Sequence, residues 1–164
     1  MGYEEALRSG FRAAEKFGAD TVITFDADEQ HDPNVLLEIV CSLQKDKADV
    51  VICTRPKAAR IAEFLFNRYV GYRYGVADIL CGLKGYQMDL YRRLGHFSKY
   101  ESIGTELAIF GLRNCAFVKV ISIDISDRID NPRFATNLVA NIKIFRALIY
   151  TATKDFFSFW LYRQ

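Results

Sequence analysis

Hydrophobic and polar residues follow two different periods along the chain, and the two periods alternate from segment to segment. Near-continuous apolar runs at Thr21–Phe25 and Asp49–Thr54 are rich in β-branched residues and predict short buried strands. Apolar residues at helical spacing predict helices at Tyr3–Phe17, with Gly18 as its C-terminal cap, and at Pro33–Lys45. The order helix, strand, helix, strand is typical of an α/β fold whose parallel sheet is joined by helical crossovers.

The middle of the chain continues this alternation. The pattern predicts a helical, aromatic and Arg-rich segment at Ala58–Tyr74, a loop "GVADILCGLKGYQ", a short helix around Leu90, a helix from about Thr105 to Arg113 and an alternating strand at Phe117–Ile125. No internal repeat, low-complexity tract or linker interrupts the pattern. The segment therefore extends the same α/β domain.

The last segment, Asn137–Gln164, has a helical pattern rich in Leu, Ile, Phe and Tyr. Basic residues are interspersed among these apolar ones: Lys143, Arg146, Lys154 and Arg163. Three interpretations fit this pattern, namely a pair of core helices, an interface with a partner chain, or an amphipathic segment on a membrane surface. The sequence alone leaves the three open.

Composition narrows the class of protein. With 164 residues and 51% hydrophobic content, the chain can build one domain with a sizeable core. A formal net charge of +2 argues against general attraction to nucleic acid. The cysteines form no CxxC pair, so we interpret them as reduced thiols. No signal peptide is recognised and no apolar run approaches the ~18 residues of a membrane span, so a cytoplasmic location is expected.

Candidate chemistry begins directly after the first predicted strand. Asp26 and Asp28 are two residues apart in extended backbone, so their carboxylates point to the same face and repel each other unless a cation lies between them. A solvated turn is the alternative, and Asp32 before proline fits a helix N-cap there. An EF-hand loop is excluded, because His31 and Leu37 stand where that loop needs Gly and Glu. A divalent metal site is the sharper hypothesis.

Several ordered segments together resemble a known family. "GADTVITFDADEQHDP", "ADVVICTR", "DILCGLKGYQ", "GTELAIFGLRNCAFVKVISI" and "DRIDNPRF" resemble, in that order, the family-2 glycosyltransferases of the GT-A fold. Within that family the chain is most similar to the polyprenyl-phosphate (dolichyl-phosphate) sugar synthases. The resemblance runs from Gly2 to about Phe134. It implies a partial GT-A catalytic domain at residues 1–136, followed by the helical tail at residues 137–164.

The resemblance implies a metal-bound donor. In this family the D-x-D carboxylates hold Mg²⁺ or Mn²⁺, which bridges the diphosphate of a nucleotide-sugar, and here they correspond to Asp26 and Asp28. Gln30 matches a further oxygen ligand of the related synthases. Hard cations prefer such ligands, and the metal stabilises charge on the departing nucleotide. Glu29 departs from the small or apolar residue of the family and adds charge beside the metal.

The resemblance also implies a phosphate acceptor. A lipid phosphate is already an anionic nucleophile, so it needs a cationic cradle to approach the diphosphate. Arg55, Arg128 and Arg133 match the family's basic positions, and Arg68 on the intervening helix is a further candidate. Asp130 and Pro132 replace the usual Gly and Ser of the motif R-x-G-x-S-[RK], which weakens the match of Arg133. For Arg68 an ordinary surface ion pair is an equal alternative.

Two further carboxylates compete for a catalytic role. Asp78 opens a D-x-x-x-G motif on the acceptor side, and Glu106 falls where transferases with hydroxyl acceptors carry their base. A carboxylate in the first turn of a helix is the alternative for Glu106. The implied function is metal-dependent inverting transfer from a nucleotide-sugar to polyprenyl phosphate at the cytoplasmic side of the cell envelope. The alternatives are transfer to a saccharide hydroxyl, or a non-catalytic partial GT-A module.

The chain opens with "MGYEEALRSGF", which resembles the helix after the first strands of the family's domain. Those strands grip the nucleoside, and each βαβ unit spans on the order of 30 residues. We therefore expect this chain to retain metal and diphosphate contacts, to hold the nucleoside weakly, and to need a partner chain that completes the sheet before it shows activity.

Overall fold

The structure is a computed structural model, and it describes residues 2–26, 32–56, 60–99, 102–114, 116–124 and 137–161, with the side chains of the last helix described from Leu138 to Phe157. In chain order the helices and strands are α1 (Tyr3–Lys16), β1 (Thr21–Thr24), α2 (Val35–Gln44), β2 (Val50–Thr54), α3 (Ile61–Tyr74), β3 (Lys84–Gln87), α4 (Met88–Leu94), α5 (Glu106–Arg113), β4 (Val118–Ser122) and α6 (Asn137–Leu161). This order confirms the α/β class and the main helices and strands expected from the pattern.

The sheet has four strands in the order β1-β3-β2-β4. β2 and β4 are parallel, whereas β3 is antiparallel to both β1 and β2. The sheet is therefore mixed, and the expectation of a wholly parallel sheet is wrong. β2 is paired on both sides, by β3 and β4, whereas β1 is the first strand of the described sheet and pairs there with β3 alone.

The segment Lys84–Gln87 was expected to be loop and instead forms β3 between the two apolar strands. Its Lys and Gly are poor strand formers, so the sequence pattern hid it. Gly85 explains why the strand tolerates glycine: a Cβ there would lie 2.5 Å from Cγ2 of Ile39, so the missing side chain lets α2 pack directly on the strand. Tertiary packing has overridden local propensity at this position.

Side chains of β2 alternate between two hydrophobic cores, one on each face of the sheet. Val50 and Ile52 pack into the larger core with α1, α3, α4, α5 and α6, while Val51 and Cys53 face the smaller core formed with α2. Every residue of β2 is buried. A strand covered on both faces reads as a continuous apolar run, and that is why the sequence predicted it well.

Two turns, one after α1 and one before α2, are explained by residues within the turns themselves. Gly18, just beyond α1, has φ of 71°, the left-handed conformation expected of a glycine at a helix C-terminus. Asp32 accepts a hydrogen bond from the backbone N–H of Asn34 at 2.9 Å, and α2 begins one residue later at Val35. Asp32 thus stabilises the turn that leads into the helix.

The helix α6 packs along α3 and contacts the last residue of α5 through a buried polar anchor. Asp155 is 5% exposed and accepts hydrogen bonds from the hydroxyls of Tyr69 and Tyr74, both at 2.6 Å, and from Nε of Arg113 at 2.5 Å. Ile144 belongs to the larger core. One face of the tail is therefore core, as one of the three interpretations of the sequence expected. No helix in the described part of the chain is long and apolar enough to cross a membrane.

Candidate active site

Three segments meet at one edge of the sheet, where β1 and β2 have their carboxyl ends. Asp26 follows β1 and Arg55 follows β2, while the residues before β3 return to the same edge because β3 is antiparallel. The register fixes this meeting point: Lys84 pairs with Thr24 of β1 and with Ile52 of β2. The hydroxyl of Thr24 also donates to the carbonyl of Gly82 at 2.6 Å, which ties the 78–83 loop to the end of β1. Ligands of open α/β sheets bind at this kind of edge.

The site contains a buried ion pair between Arg55 and Asp78. Nε of Arg55 donates to Oδ2 of Asp78 at 2.6 Å and Nη2 donates to Oδ1 at 3.1 Å, so the contact is bidentate. The backbone N–H of Arg55 adds a bond to Oδ2 at 3.2 Å. The side chain of Asp78 is 5% exposed and that of Arg55 is 19% exposed. Paired charges this well buried fix each other's orientation.

Helix α3 supports this pair from its inner face. Asn67 donates to Oδ1 of Asp78 at 3.0 Å and accepts the backbone N–H of Ile79 at 3.1 Å, so one amide holds both the carboxylate and its loop. Glu63 lies 3.7 Å from Nη2 of Arg55 and 2.7 Å from Nη1 of Arg60. The guanidinium of Arg55 is therefore flanked by two acidic side chains, while its Nη1 makes no hydrogen bond with any residue that the structure describes.

The electrostatics of the pair follow from these contacts. Burial acts to raise the pKa of Asp78, but the hydrogen bonds and charge of Arg55 outweigh burial, and the pKa is lowered. Burial acts to lower the pKa of Arg55, but Asp78 outweighs it and the pKa is raised. Both groups are thus held in their charged forms. A carboxylate with a lowered pKa and several donors is a weak proton acceptor, so the geometry favours Asp78 as a positioning residue for Arg55.

Asp26 lies at the same edge of the sheet as this pair, after β1, and its surroundings differ from those of Asp78. A methyl group added at Gly82 would lie 2.0 Å from Oδ2 and 2.8 Å from Cγ of Asp26, so the carboxylate rests directly on the glycine backbone. The side chain of Asp26 is half-buried and makes no hydrogen bond with the described residues. Its oxygens remain available to a ligand, and carboxylate oxygens are what Mg²⁺ and Mn²⁺ prefer. Asp26 therefore fits the metal-ligand role that the resemblance implies.

Lys84 is a buried cation beneath the same loop. Its side chain is fully buried and its ammonium donates a hydrogen bond to the carbonyl of Cys81. Burial lowers the pKa of Lys84, while the thiol of Cys81 and the carboxylates of Asp78 and Asp26 act in the opposite direction. Lys84 is thus hydrogen-bonded to the 78–83 loop and lies near the carboxylates of Asp78 and Asp26.

The start of α1 borders the site as well. Burial raises the pKa of the Tyr3 hydroxyl, and the carboxylates of Asp26 and Glu4 add to the effect. Glu4 accepts the backbone N–H of Gly104 at 3.3 Å and the hydroxyl of Ser98 at 3.2 Å, which joins α1 to the loop before α5. The side chain of Tyr3 is 39% exposed, and its ring lies near Gly104 of the same loop.

Glu106 is engaged elsewhere. It is the first residue of α5; its Oε2 accepts the backbone N–H of Lys99 at 2.7 Å and its Oε1 lies 3.2 Å from Nε2 of His96. Its side chain is 10% exposed. These partners belong to the loop between α4 and α5, and no described hydrogen bond or ion pair joins Glu106 to Asp26, Arg55 or Asp78. The helix-start alternative describes this geometry well.

Arg68 lies on the opposite side of α3 from the ion pair. It is exposed and borders an open groove with Leu65, Tyr69, Gly71 and Tyr72. Within the described ranges it forms no hydrogen bond or ion pair with the residues of the site. The structure therefore brings Asp26, Arg55 and Asp78 together and separates Arg68 and Glu106 from them.

The remaining expected site residues, Asp28, Gln30, Arg128 and Arg133, lie outside the described residues. Among the residues that are described, no group of three or more His, Cys, Asp or Glu side chains is arranged to hold a metal ion. Asp26 is thus the one proposed metal ligand whose surroundings are known.

Sequence reasoning missed the supporting residues of the site, namely Tyr3, Glu63, Asn67 and Lys84. A lysine and a glycine between apolar residues in "CGLKGY" are a signal that a charged side chain enters a buried segment. Nothing in the helical pattern of α3 distinguishes Glu63 and Asn67 from surface residues. Their role depends on contacts across the chain.

Solved structures with the same fold include glycosyltransferases. Glucosyl-3-phosphoglycerate synthase from Mycobacterium tuberculosis, in complex with Mn²⁺, uridine diphosphate and glucosyl-3-phosphoglycerate, matches with a TM-score of 0.68 at 16% identity, over 94% of this chain and 55% of that chain. The same enzyme with Mn²⁺, UDP-glucose and glycerol 3-phosphate gives a TM-score of 0.64 at 17% identity, over 94% and 55%. A further mycobacterial protein gives 0.68 at 18% identity, over 93% and 51%.

These likenesses confirm the GT-A fold expected from the sequence. The chain spans about half the length of the solved structures that it matches. Comparison with curated protein sequences found no significant match. Residues 1–120 match the family model described as Glycosyl transferase family 2. Because that segment covers most of the chain, the protein belongs to glycosyl transferase family 2.

Proposed function

We propose that this chain is the diphosphate-binding and acceptor-binding part of a metal-dependent, inverting glycosyltransferase that uses a polyprenyl phosphate as acceptor. An oxygen of the acceptor phosphate attacks the anomeric carbon of the sugar, and the bond from that carbon to the nucleotide diphosphate breaks. The acceptor phosphate is already ionised, so the step needs no general base. The products are a polyprenyl-phosphate sugar and a nucleoside diphosphate.

The observation that carries this proposal is the Arg55 guanidinium, held by Asp78 at the sheet edge that Asp26 occupies. An arginine whose orientation is fixed, and whose Nη1 has no hydrogen-bond partner among the described residues, is suited to bind a phosphate oxygen. At the same sheet edge, the carboxylate of Asp26 makes no hydrogen bond with the described residues, so it can bind a cation. A guanidinium donor and a metal ligand at the same edge of the sheet fit a reaction that brings two phosphates together.

The proposed metal ligands are Asp26, Asp28 and Gln30, with Mg²⁺ or Mn²⁺ as the ion. When bound, the metal supplies positive charge to the departing diphosphate. Arg128 and Arg133 are proposed to join Arg55 at the acceptor phosphate. Asp78 acts as a positioning residue in this scheme, because its carboxylate orients Arg55 through a bidentate contact and accepts no proton.

The solved structures of similar fold support the general chemistry. Structures of glucosyl-3-phosphoglycerate synthase hold Mn²⁺ with UDP-glucose, and others hold phosphoglyceric acid or glycerol 3-phosphate. Those ligands are a nucleotide-sugar and phosphate-bearing small molecules. Their chemistry supports a nucleotide-sugar donor and a phosphate-bearing acceptor here, and the polyprenyl chain is the finer part of the proposal.

Donor binding is tested with the purified chain. Calorimetric titration with UDP, GDP, CDP and dTDP, with and without Mn²⁺, should find at least one nucleoside diphosphate whose binding depends on the metal. Asp26→Asn should weaken that binding by about tenfold or more, because it removes charge from a metal ligand. Asp20→Asn is the matched control, since Asp20 is exposed at the other end of β1. Metal-independent binding, or equal loss in both variants, would refute the donor site.

The competing acceptor is a saccharide hydroxyl, for which Glu106 would serve as the base. In an active form of the enzyme, Glu106→Gln should leave transfer to polyprenyl phosphate within about twofold, whereas loss of a general base costs typically 10²- to 10⁴-fold. Arg55→Lys should raise KM for polyprenyl phosphate, because lysine cannot reproduce the bidentate contact with Asp78 that orients the guanidinium. The reverse pattern, with a large Glu106 effect and no Arg55 effect, would favour the hydroxyl acceptor.

A further inference from the structure

Lys84 is a basic side chain placed inside the protein, and the proposed reaction has not yet given it a role. It is 3% exposed, and the register of the sheet holds it between Thr24 of β1 and Ile52 of β2. Its ammonium donates a hydrogen bond to the backbone carbonyl of Cys81. Burying a charge costs free energy unless opposite charges nearby offset the cost. The fold therefore keeps a costly cation directly beneath the loop of the candidate site.

The charges near Lys84 belong to the residues of that site. The carboxylates of Asp78 and Asp26 favour its ammonium form, whereas the guanidinium of Arg55 acts against it. Arg55 and Asp78 balance each other through their bidentate contact. Asp26 accepts no hydrogen bond from the residues that the structure describes. Lys84 is thus the nearby positive charge that remains to balance Asp26.

A balanced site of this kind distinguishes a bare cation from a metal bound to a diphosphate. The ammonium of Lys84 repels a divalent cation that approaches Asp26 alone, and charges inside a protein are screened less than charges in water. A diphosphate carries more negative charge than one divalent metal carries positive charge, so the two together are an anion. The same ammonium attracts that anion. Lys84 therefore acts in opposite directions on the two ligands.

We propose that Lys84 makes the binding of a divalent metal at Asp26 conditional on the diphosphate of the donor. The inference rests on the proposed function, because Asp26 is one of the proposed metal ligands. Lys84 is buried, so it acts through its charge and is a positioning residue without contact to either ligand. Coupling between two ligands is reciprocal, so the metal favours the diphosphate by the same factor. The site takes up metal and diphosphate together in preference to the metal alone.

The test compares the binding of Mn²⁺ alone with the binding of Mn²⁺ and inorganic diphosphate, by calorimetric titration of the purified chain. Titration at about pH 6 favours the ammonium form of a lysine whose pKa is lowered by burial. Lys84→Met and Lys84→Gln remove the charge, and the glutamine keeps a donor for the carbonyl of Cys81. Both variants should bind Mn²⁺ alone at least about threefold more tightly than the parent, and diphosphate with Mn²⁺ at least about threefold more weakly.

Two control variants accompany the neutral ones. Lys84→Arg keeps the charge, so it should bring both affinities back toward those of the parent. Lys45→Met makes the same change as Lys84→Met at an exposed lysine that follows α2, near the start of β2, whereas the site lies at the end of that strand. It should leave both affinities within about twofold of the parent. Circular dichroism verifies that each variant is folded.

The opposite signs of the two changes separate this role from a structural one, because a distorted site would bind both ligands more weakly. The proposal is overturned if the neutral variants change both affinities in the same direction or leave both unchanged. Loss of the fold in both neutral variants would overturn it as well, since Lys84 would then be a structural requirement.

Failure of this proposal is distinguishable from failure of the proposed function. A parent chain that binds neither Mn²⁺ nor Mn²⁺ with diphosphate refutes the donor site, and the role of Lys84 with it. A parent chain that binds both, with neutral variants that do not differ from it, refutes only the role of Lys84.

Discussion

Asp26 and Asp78 are two carboxylates at the same edge of the sheet, one after β1 and the other before β3. Asp78 accepts hydrogen bonds from Arg55, from Asn67 and from the backbone N–H of Leu80. Asp26 accepts none within the described part of the chain, and its carboxylate lies against the backbone of Gly82. Two aspartates at the same edge of the sheet therefore differ in hydrogen bonding: the carboxylate of Asp78 has several donors, and that of Asp26 has none among the described residues.

The difference teaches how the fold separates structure from ligand binding. A saturated carboxylate contributes to stability and fixes the arginine beside it, because removing either partner leaves an unpaired buried charge. A carboxylate without partners contributes little to stability, and its oxygens can be taken by a cation without breaking any bond of the fold. We therefore expect substitutions of Asp78 to act on unfolding and substitutions of Asp26 itself to act on ligands.

The largest expected effect is the loss of the ion pair. Asp78→Ala leaves the Arg55 guanidinium and the Asn67 amide without their acceptor, so the free energy of unfolding should fall by about 3–5 kcal/mol. Asp26→Ala should change it by less than about 0.5 kcal/mol. Urea unfolding followed by circular dichroism measures both. Equal losses in the two variants would contradict the contrast between the carboxylates.

Gly82→Ala should produce a smaller but more specific effect. The new methyl group would lie 2.0 Å from Oδ2 of Asp26, so the carboxylate or the loop must move. We expect a loss of about 1–3 kcal/mol in the free energy of unfolding, and weaker Mn²⁺-dependent binding of nucleoside diphosphate, measured by calorimetry. Gly10→Ala is the control, because a Cβ there meets no atom within 4 Å. It should stabilise α1 by about 0.5–1 kcal/mol.

Acid titration should reveal the ion pair as well. Because Arg55 lowers the pKa of folded Asp78 against the effect of burial, the carboxylate stabilises the fold above its ordinary pKa, and that contribution is lost as the pH falls through the folded value. The difference in free energy of unfolding between the parent chain and Asp78→Asn should be constant above about pH 5 and narrow below about pH 4. Urea titrations across this range measure it, and a gap that widens with acid would refute the assignment.

The sequence predicted the parts of this molecule that depend on local pattern. β2 is a continuous apolar run because both of its faces are covered, and α1 ends where Gly18 allows a left-handed turn. β3 was missed because its Lys84 and Gly85 are explained only by the loop and the helix that pack on them. Period and propensity carry no information about such contacts.

The candidate site was predicted residue by residue but not as an arrangement. Arg55 and Asp78 were given separate roles, and the bidentate contact between them joins residues 23 positions apart. The engagement of Glu106 by His96 and by the backbone of Lys99 depends on how one loop folds back on α5. A sequence indicates which side chains carry charge, whereas the fold decides which of those charges are already satisfied.

The smallest expected effect is that of replacing Arg68. Comparing Arg68 with Arg55 extends the comparison from carboxylates to cations. Arg68 is exposed on the outer side of α3, whereas Arg55 is clamped on the inner side. Arg68→Ala should change the free energy of unfolding by less than about 0.5 kcal/mol, and Mn²⁺-dependent diphosphate binding should stay the same. Arg55→Ala should instead cost about 3–5 kcal/mol, because Asp78 would remain buried without its partner. Urea unfolding and calorimetry on the two variants provide the measurement. A loss of more than about 2 kcal/mol in Arg68→Ala would mean that this arginine makes structural contacts beyond the described residues, and the distinction between a clamped and an exposed arginine would fail.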